Sequence, residues 1–244
     1  MASSPGAFPT TRWTLIERVR GGDPSSKKAA LEELCQSYWL PLYAFARRSG
    51  LDPHGAEDVV QDFFLRALKE DLLLRADEQI GKLRNLLCIA FKRHLGHLKR
   101  HDQAVRRGGG AVHIPWLPVD AEVRYRSLPA DSASPDELFH QQWARNVVER
   151  AQQALRERYK AEGKLALFDS LSPFLPWDGT EEVTMETSAA EKAGMRAVAF
   201  RSARHRMRKR LRDCIRKEVQ ETTQTTDPFL VQAEIRELLQ VLAP

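Results

Sequence analysis

The chain has 244 residues, with 38 Lys plus Arg against 33 Asp plus Glu and a net charge of +5; that length supports two small domains with cores of their own. Its three cysteines, Cys35, Cys88 and Cys214, are far apart and form no CxxC pair, which argues against a disulfide framework or a zinc ribbon and points to reduced core thiols. No apolar run follows a basic start and no window approaches a membrane span, so the expected location is cytoplasmic, with no membrane insertion.

Met1 to Pro9 is small and Pro-containing, and Thr10 or Thr11 can cap a short helix through Val19 that ends at Gly21-Gly22. Asp23-Pro24 opens the next helix. Between Ser25 and Ser49, Leu31, Leu34, Cys35, Tyr38, Leu42, Phe45 and Ala46 keep helical spacing, with Pro41 bending or dividing the run and Gly50 stopping it. Asp52-Pro53 caps AEDVVQDFFLRAL, Ala56 to Leu68. Val59, Val60, Phe63, Phe64 and Leu68 supply its buried face, and Glu57, Asp58, Gln61 and Asp62 gather on another.

A loop around Ala76 to Gly81 leads into KLRNLLCIAFKRHLGHLKRH. Its apolar set is Leu83, Leu86, Leu87, Ala90, Phe91, Leu95 and Leu98, which leaves Lys82, Arg84, Lys92, Arg93, Lys99 and Arg100 for solvent or a ligand. His94, His97 and His101 share this helix at i, i+3 and i+7. Three ligands from one straight helix converge poorly on one ion, so polar or phosphate-facing surface is the expected role, with no metal and no cofactor. The segment from 107 to 135 mixes Gly, Pro, Asp and Ser and reads as a linker.

Ser134-Pro135-Asp136-Glu137 is a helix start, with Ser134 as cap and Pro135 at the first helical position. A long helix follows to about Glu162, then a short one from Leu165 stopped by Pro173 and Pro176. Thr187 to Ala193, Gly194 and the basic run GMRAVAFRSARHRMRKRLRDCIRKEV have the order of a helix-turn-helix. In that run Phe200, Ala203, Met207, Leu211 and Cys214 form one stripe, and Arg201, Arg204, Arg208, Arg212 and Arg216 fall off it. After Asp227-Pro228, residues Phe229, Val231, Ile235, Leu238, Leu239 and Leu242 predict a last amphipathic helix. No period-two strand pattern occurs, so the expected fold is all-α.

Two segments carry a resemblance. AEDVVQDFFLRAL is similar to the region-two signature of extracytoplasmic-function RNA polymerase sigma factors, of the sigma-70 family. GMRAVAFRSARHRMRKRLRDCIRKEV resembles their region-four recognition helix, notably at Gly194, Met195, Ala203, His205, Arg206, Arg208, Arg210 and Arg212, and departs at Ser202 and Arg204, where the family usually carries apolar residues. FPTTRWTLI and ALEELCQSYWLPLYAF look like a subgroup with an extended N-terminus. The resemblance implies an extension over 1–24, a region-two bundle over 25–106, a linker over 107–135, a region-four helix-turn-helix over 136–220 and a tail helix over 221–244.

It also implies a subunit without catalytic chemistry of its own, which binds core RNA polymerase and gives it a promoter. The implied core-binding residues are Asp58, Gln61, Asp62 and Phe63. Lys82, Arg84, Asn85, Lys92, Arg93 and Arg100 would meet the opened minus-ten strand. Arg196, Ala197, Arg201, Arg204, His205 and Arg208 would meet the minus-thirty-five duplex. An anti-sigma factor or other regulator is a further implied partner. Two rivals remain at this stage: a helix-turn-helix regulator that binds duplex DNA unaided, and a metal-dependent nuclease or hydrolase built on His94, His97 and His101 or on Asp58 and Asp62.

Overall fold

The chain begins its first long helix where Asp23 supplies a cap: Asp23 Oδ1 accepts hydrogen bonds from the backbone N–H of Ser25 (3.0 Å) and Ser26 (3.1 Å), two donors with no partner inside the helix. The computed structural model describes residues 18, 21, 23–69, 83–102, 121–128, 133–175, 190–191, 193–223 and 227–242. Among these, every regular element is helical, and no helix is long and apolar enough to cross a membrane. The elements are α1 (Pro24–Arg48), α2 (Pro53–Lys69), α3 (Leu83–Asp102), α4 (Ala121–Arg126), α5 (Pro135–Ala161), α6 (Leu165–Leu171) with a 3-10 turn (Ser172–Phe174), α7 (Ala197–Thr223) and α8 (Pro228–Leu242). The expected short helix ending at Gly21-Gly22 lies largely outside the described residues.

Contacts divide the chain into two units, residues 1–146 with 220–227 and residues 147–219 with 228–244. In the first, α1 packs on α2, α3 and α4, and α2 packs on α3. Aromatic rings fill the space between them. Trp39 stacks on Phe64 (centroids 6.1 Å apart), and Phe91 meets Phe45 (5.6 Å) and Phe63 (5.2 Å) edge to face, geometries favoured by the ring quadrupole. Cys35 and Cys88, like Cys214 of the second unit, are buried thiols outside any disulfide; burial pushes the Cys88 thiol up to about 12, reinforced by nearby Asp136.

Pro41 neither ends nor divides α1, which runs through it as one helix. Proline has no N–H, so the carbonyl of Ser37, four residues back, loses its helical donor. Asn146 replaces it: Asn146 Nδ2 donates to Ser37 O at 3.2 Å in a buried site. The helix then stops at Gly50, whose φ of 94° is left-handed. There Leu51 N–H bonds to Ala46 O (3.3 Å) and Gly50 N–H to Arg47 O (3.1 Å), the 6→1 and 5→2 pair of a Schellman turn.

The segment expected to be linker contains α4, held on α1 by Glu122. Tyr43 donates its hydroxyl to Glu122 Oε2 (2.6 Å), Arg47 donates through Nε (2.9 Å) and Nη2 (3.0 Å), and Arg126 through Nε (2.8 Å). The Arg47 hydrogen bonds, then those of Tyr43 and Arg126, hold the Glu122 carboxyl down at about 2, against its ordinary 4.5. The predicted boundary at 136 is also not where contacts divide the chain. The first three turns of α5 belong with the first unit, where Asp136 pairs with Lys92, Trp143 lies under Arg84 and Asn146 meets α1. The helix start itself is as predicted: Ser134 N–H bonds to Glu137 Oε2 (2.7 Å) and Glu137 N–H to Ser134 Oγ (3.3 Å), a capping box.

The second unit is assembled from the rest of α5, α6, the 3-10 turn, α7 as far as Val219, and α8. Tyr159 meets Phe168 (5.8 Å) and Phe174 meets Phe200 edge to face (5.5 Å), and Arg150 Nε lies 3.3 Å from Glu218 Oε2. Helix α8 forms where an amphipathic helix was expected and on the expected face except at Phe229, with Ile235, Leu239 and Leu242 half-buried. Val231, Glu234 and Leu238 are buried, whereas Phe229 is 86% exposed.

Candidate nucleic-acid interface

Helix α7 is set by a second Schellman turn. Gly194 has φ 63°, Met195 N–H bonds to Ala190 O (2.8 Å) and Gly194 N–H to Glu191 O (2.9 Å). A Cβ at Gly194 would meet open space, so the left-handed backbone is what selects glycine. From Arg196 the chain enters α7, Phe200 N–H bonding to Arg196 O at 3.0 Å. The helix ahead of the turn is described at Ala190 and Glu191; Met185 to Thr187 lie outside the described residues.

All five predicted stripe residues of α7, Phe200, Ala203, Met207, Leu211 and Cys214, are buried, joined by Ile215 and Val219. The opposite face follows i, i+3, i+4 and i+7 spacing through Val198, Arg201, Ser202 and His205, and continues to Lys209, Arg212 and Arg216; all are exposed. Arg196 and Ala197 are also exposed. Two predicted contacts sit differently. Arg208 is half-buried and donates from Nη2 to Phe174 O (3.1 Å), and Arg204 is half-buried, because both positions border the buried stripe. Arg210 is likewise engaged, with its guanidinium carbon 5.1 Å from the centre of the Tyr159 ring and Nη1 2.9 Å from Glu162 Oε1. Val198 and Lys209 share this face without having been named from the sequence, and Ser202 was named only as a departure. The signal that finds them is the helical angle opposite the apolar stripe, and it also removes the anomaly at Ser202, whose polar side chain is simply on the outer face.

In the first unit, α3 divides its polar residues three ways. Asn85, Arg93 and His97 are exposed, as is the apolar Ile89. Lys92 is exposed but paired, its Nζ 2.9 Å from Asp136 Oδ2. Arg84 is turned inward: it is 4% exposed, with its guanidinium carbon 4.2 Å from the centre of the Trp143 ring, a desolvated cation–π contact. A strand of DNA therefore cannot reach Arg84 in this arrangement, contrary to the sequence expectation. Lys82 and the Arg100 side chain lie outside the described residues.

On α2 the predicted docking set also separates. Asp58 is exposed. Asp62 is half-exposed and lies 3.1 Å from Arg66 Nε and 3.3 Å from His94 Nε2. Gln61, 6% exposed, and Phe63, 2% exposed, face the core, since Phe63 packs against Phe64, Phe91 and His94. Of the four, Asp58 and Asp62 are the ones with surface to offer a partner. His94 is buried beside those rings while His97 is exposed, and among the described residues no three His, Cys, Asp or Glu side chains are grouped to hold a metal ion.

No family model matches the chain, and no solved structure matches it. It is similar to the ECF RNA polymerase sigma factor SigE of Mycolicibacterium smegmatis, with 25% identity over 206 residues that span 83% of this chain and 69% of that protein. That likeness supports a relationship to extracytoplasmic-function sigma factors.

Proposed function

We propose that this chain binds the core of RNA polymerase and directs it to promoters, with α7 on the duplex of the upstream element and α3 on the opened strand at the minus-ten element. The observation that carries this reading is the outer face of α7. Seven exposed residues from Val198 to Arg216, four of them cationic, stand opposite a fully apolar buried stripe and directly follow the Gly194 turn. A helix so mounted can lie in a major groove with its first turns at base edges and its later cations at phosphates. The likeness to SigE adds the polymerase and the initiation step, for which the chain itself supplies no chemistry.

Within this reading Arg201, Ser202 and His205 approach bases and Lys209, Arg212 and Arg216 hold the backbone. On α3, Asn85 and Arg93 meet the separated strand, with Lys82 and Arg100 as further candidates. Asp58, with Asp62 beside it, meets cations of the polymerase, a charged rim that sets orientation and association rate. An anti-sigma factor or other regulator would compete for these same surfaces.

Run-off transcription with purified core enzyme on a randomised promoter library is the test. Transcripts from a selected promoter class are expected. No stable association with core at modest salt defeats the reading in favour of a duplex-binding regulator. Replacing Asp58 by Lys is expected to weaken core binding while leaving the fold intact, and unchanged affinity removes Asp58 from the docking surface.

A further inference from the structure

Val198 is 69% exposed in the first turn of α7. Its position has no structural reason to be a branched aliphatic. The buried stripe lies on the other side of the helix, and a β-branched residue is a mediocre choice for an exposed helical site because it loses side-chain freedom there. Its neighbours on the same face are Arg201, Ser202 and His205, all exposed and all able to hydrogen-bond. Val198 can do none of that. What an aliphatic side chain can recognise on a duplex is the one apolar group at the floor of the major groove, the 5-methyl of thymine. First-turn residues of a helix mounted behind such a turn are those that reach base edges.

We infer that Val198 reads a thymine methyl group in the upstream promoter element. The inference rests on the duplex-binding role of α7 proposed above and assigns to it a base and an atom. Arg201, Ser202 and His205, on the turns that follow, then supply polar contacts alongside, and the apolar contact is the part of the surface that distinguishes thymine from uracil, which differs only by that methyl.

The test uses the full-length chain with core polymerase on a duplex selected from a randomised upstream element. Each thymine is replaced in turn by uracil, which deletes the methyl and preserves every hydrogen-bonding group. One replacement is expected to weaken wild-type binding about fourfold, the worth of one methyl removed from water. Val198→Ala, shortened by two methyl groups, is expected to bind the thymine and uracil duplexes alike, and Val198→Ile to keep the preference. Wild-type binding that is indifferent to uracil at every position, or a Val198→Ala variant that retains the preference, overturns the inference and leaves the duplex-binding reading in place. A complex with no duplex preference of any kind overturns both.

Discussion

Helices α3 and α7 look alike as strings of residues, each a basic amphipathic run with an interrupted apolar stripe, yet they spend their cations differently. On α3, Arg84 is buried on Trp143 and Lys92 is paired with Asp136, so two of its cations serve the packing of α5 in the first unit. On α7, Arg201 and Arg212 remain exposed, Arg216 is exposed and pairs within its own helix, 3.3 Å from Asp213 Oδ1, and the residues drawn inward, Arg208 and Arg210, border the apolar stripe. The difference lies in what each helix faces. Around α3 stand an aromatic ring and a carboxylate from α5; opposite the α7 stripe stands solvent. Positive charge in a sequence is therefore not yet a nucleic-acid surface, because a guanidinium is also a good lid for an indole.

This contrast can be broken by crossing the two readouts. Arg84→Ala is expected to cost about 2–4 kcal/mol of stability, from the lost desolvated cation–π contact and the void left behind, measured by denaturant unfolding. Arg201→Ala and Arg212→Ala should stay within about 0.5 kcal/mol of wild type in the same experiment. If Arg84→Ala proves neutral, α3 is as free as α7 and the contrast fails. Next in size, Asn146→Leu removes the amide that donates to the Ser37 carbonyl and should cost about 1–3 kcal/mol. In a Pro41→Ala background, where residue 41 regains its N–H, that cost should shrink, and an unchanged cost would mean that Asn146 acts by packing alone.

Acid sharpens the picture within the first unit. Glu122 has a folded pKa of about 2, below its ordinary 4.5, so its contribution is fully present above pH 4.5 and is lost as pH falls through the window down to about 2. The stability gap between wild type and Glu122→Gln should close over that range, and a gap independent of pH would remove Glu122 from the account of acid sensitivity. The smallest effects belong to the proposed DNA binding, read as its dependence on salt. Each of Lys209→Ala and Arg212→Ala should lower the slope of log affinity against log salt by about one, and Arg84→Ala should leave the slope alone.

Local chemistry was legible in the sequence. Asp23 and Ser134 cap helices because a short oxygen-bearing side chain before an apolar-periodic run has few other uses, and Gly194 marks a turn because a left-handed residue there is cheapest as glycine. The α7 stripe was legible for the same reason, since spacing alone fixes which residues share a face. What stayed hidden depended on distance along the chain. Arg84 meets a tryptophan 59 residues on, and Glu122 finds Tyr43 and Arg47 at separations of 79 and 75 residues, so neither burial had a local signature. On the outer face of α7, Val198 went unnamed because the sequence was read for charge, and Ser202 was named only as a departure.

The Asn146 amide also fixes a register. At the proline of α1, a buried carbonyl accepts from a side chain of another helix. A slide of α5 along α1 by a single turn, about 5.4 Å, would bring other apolar side chains into tolerable contact but would carry the amide away from its acceptor. Each misaligned packing would then bury an unpaired donor and an unpaired acceptor together. A missing backbone hydrogen bond thus works as a key, accepting one alignment of two greasy helices and rejecting its neighbours.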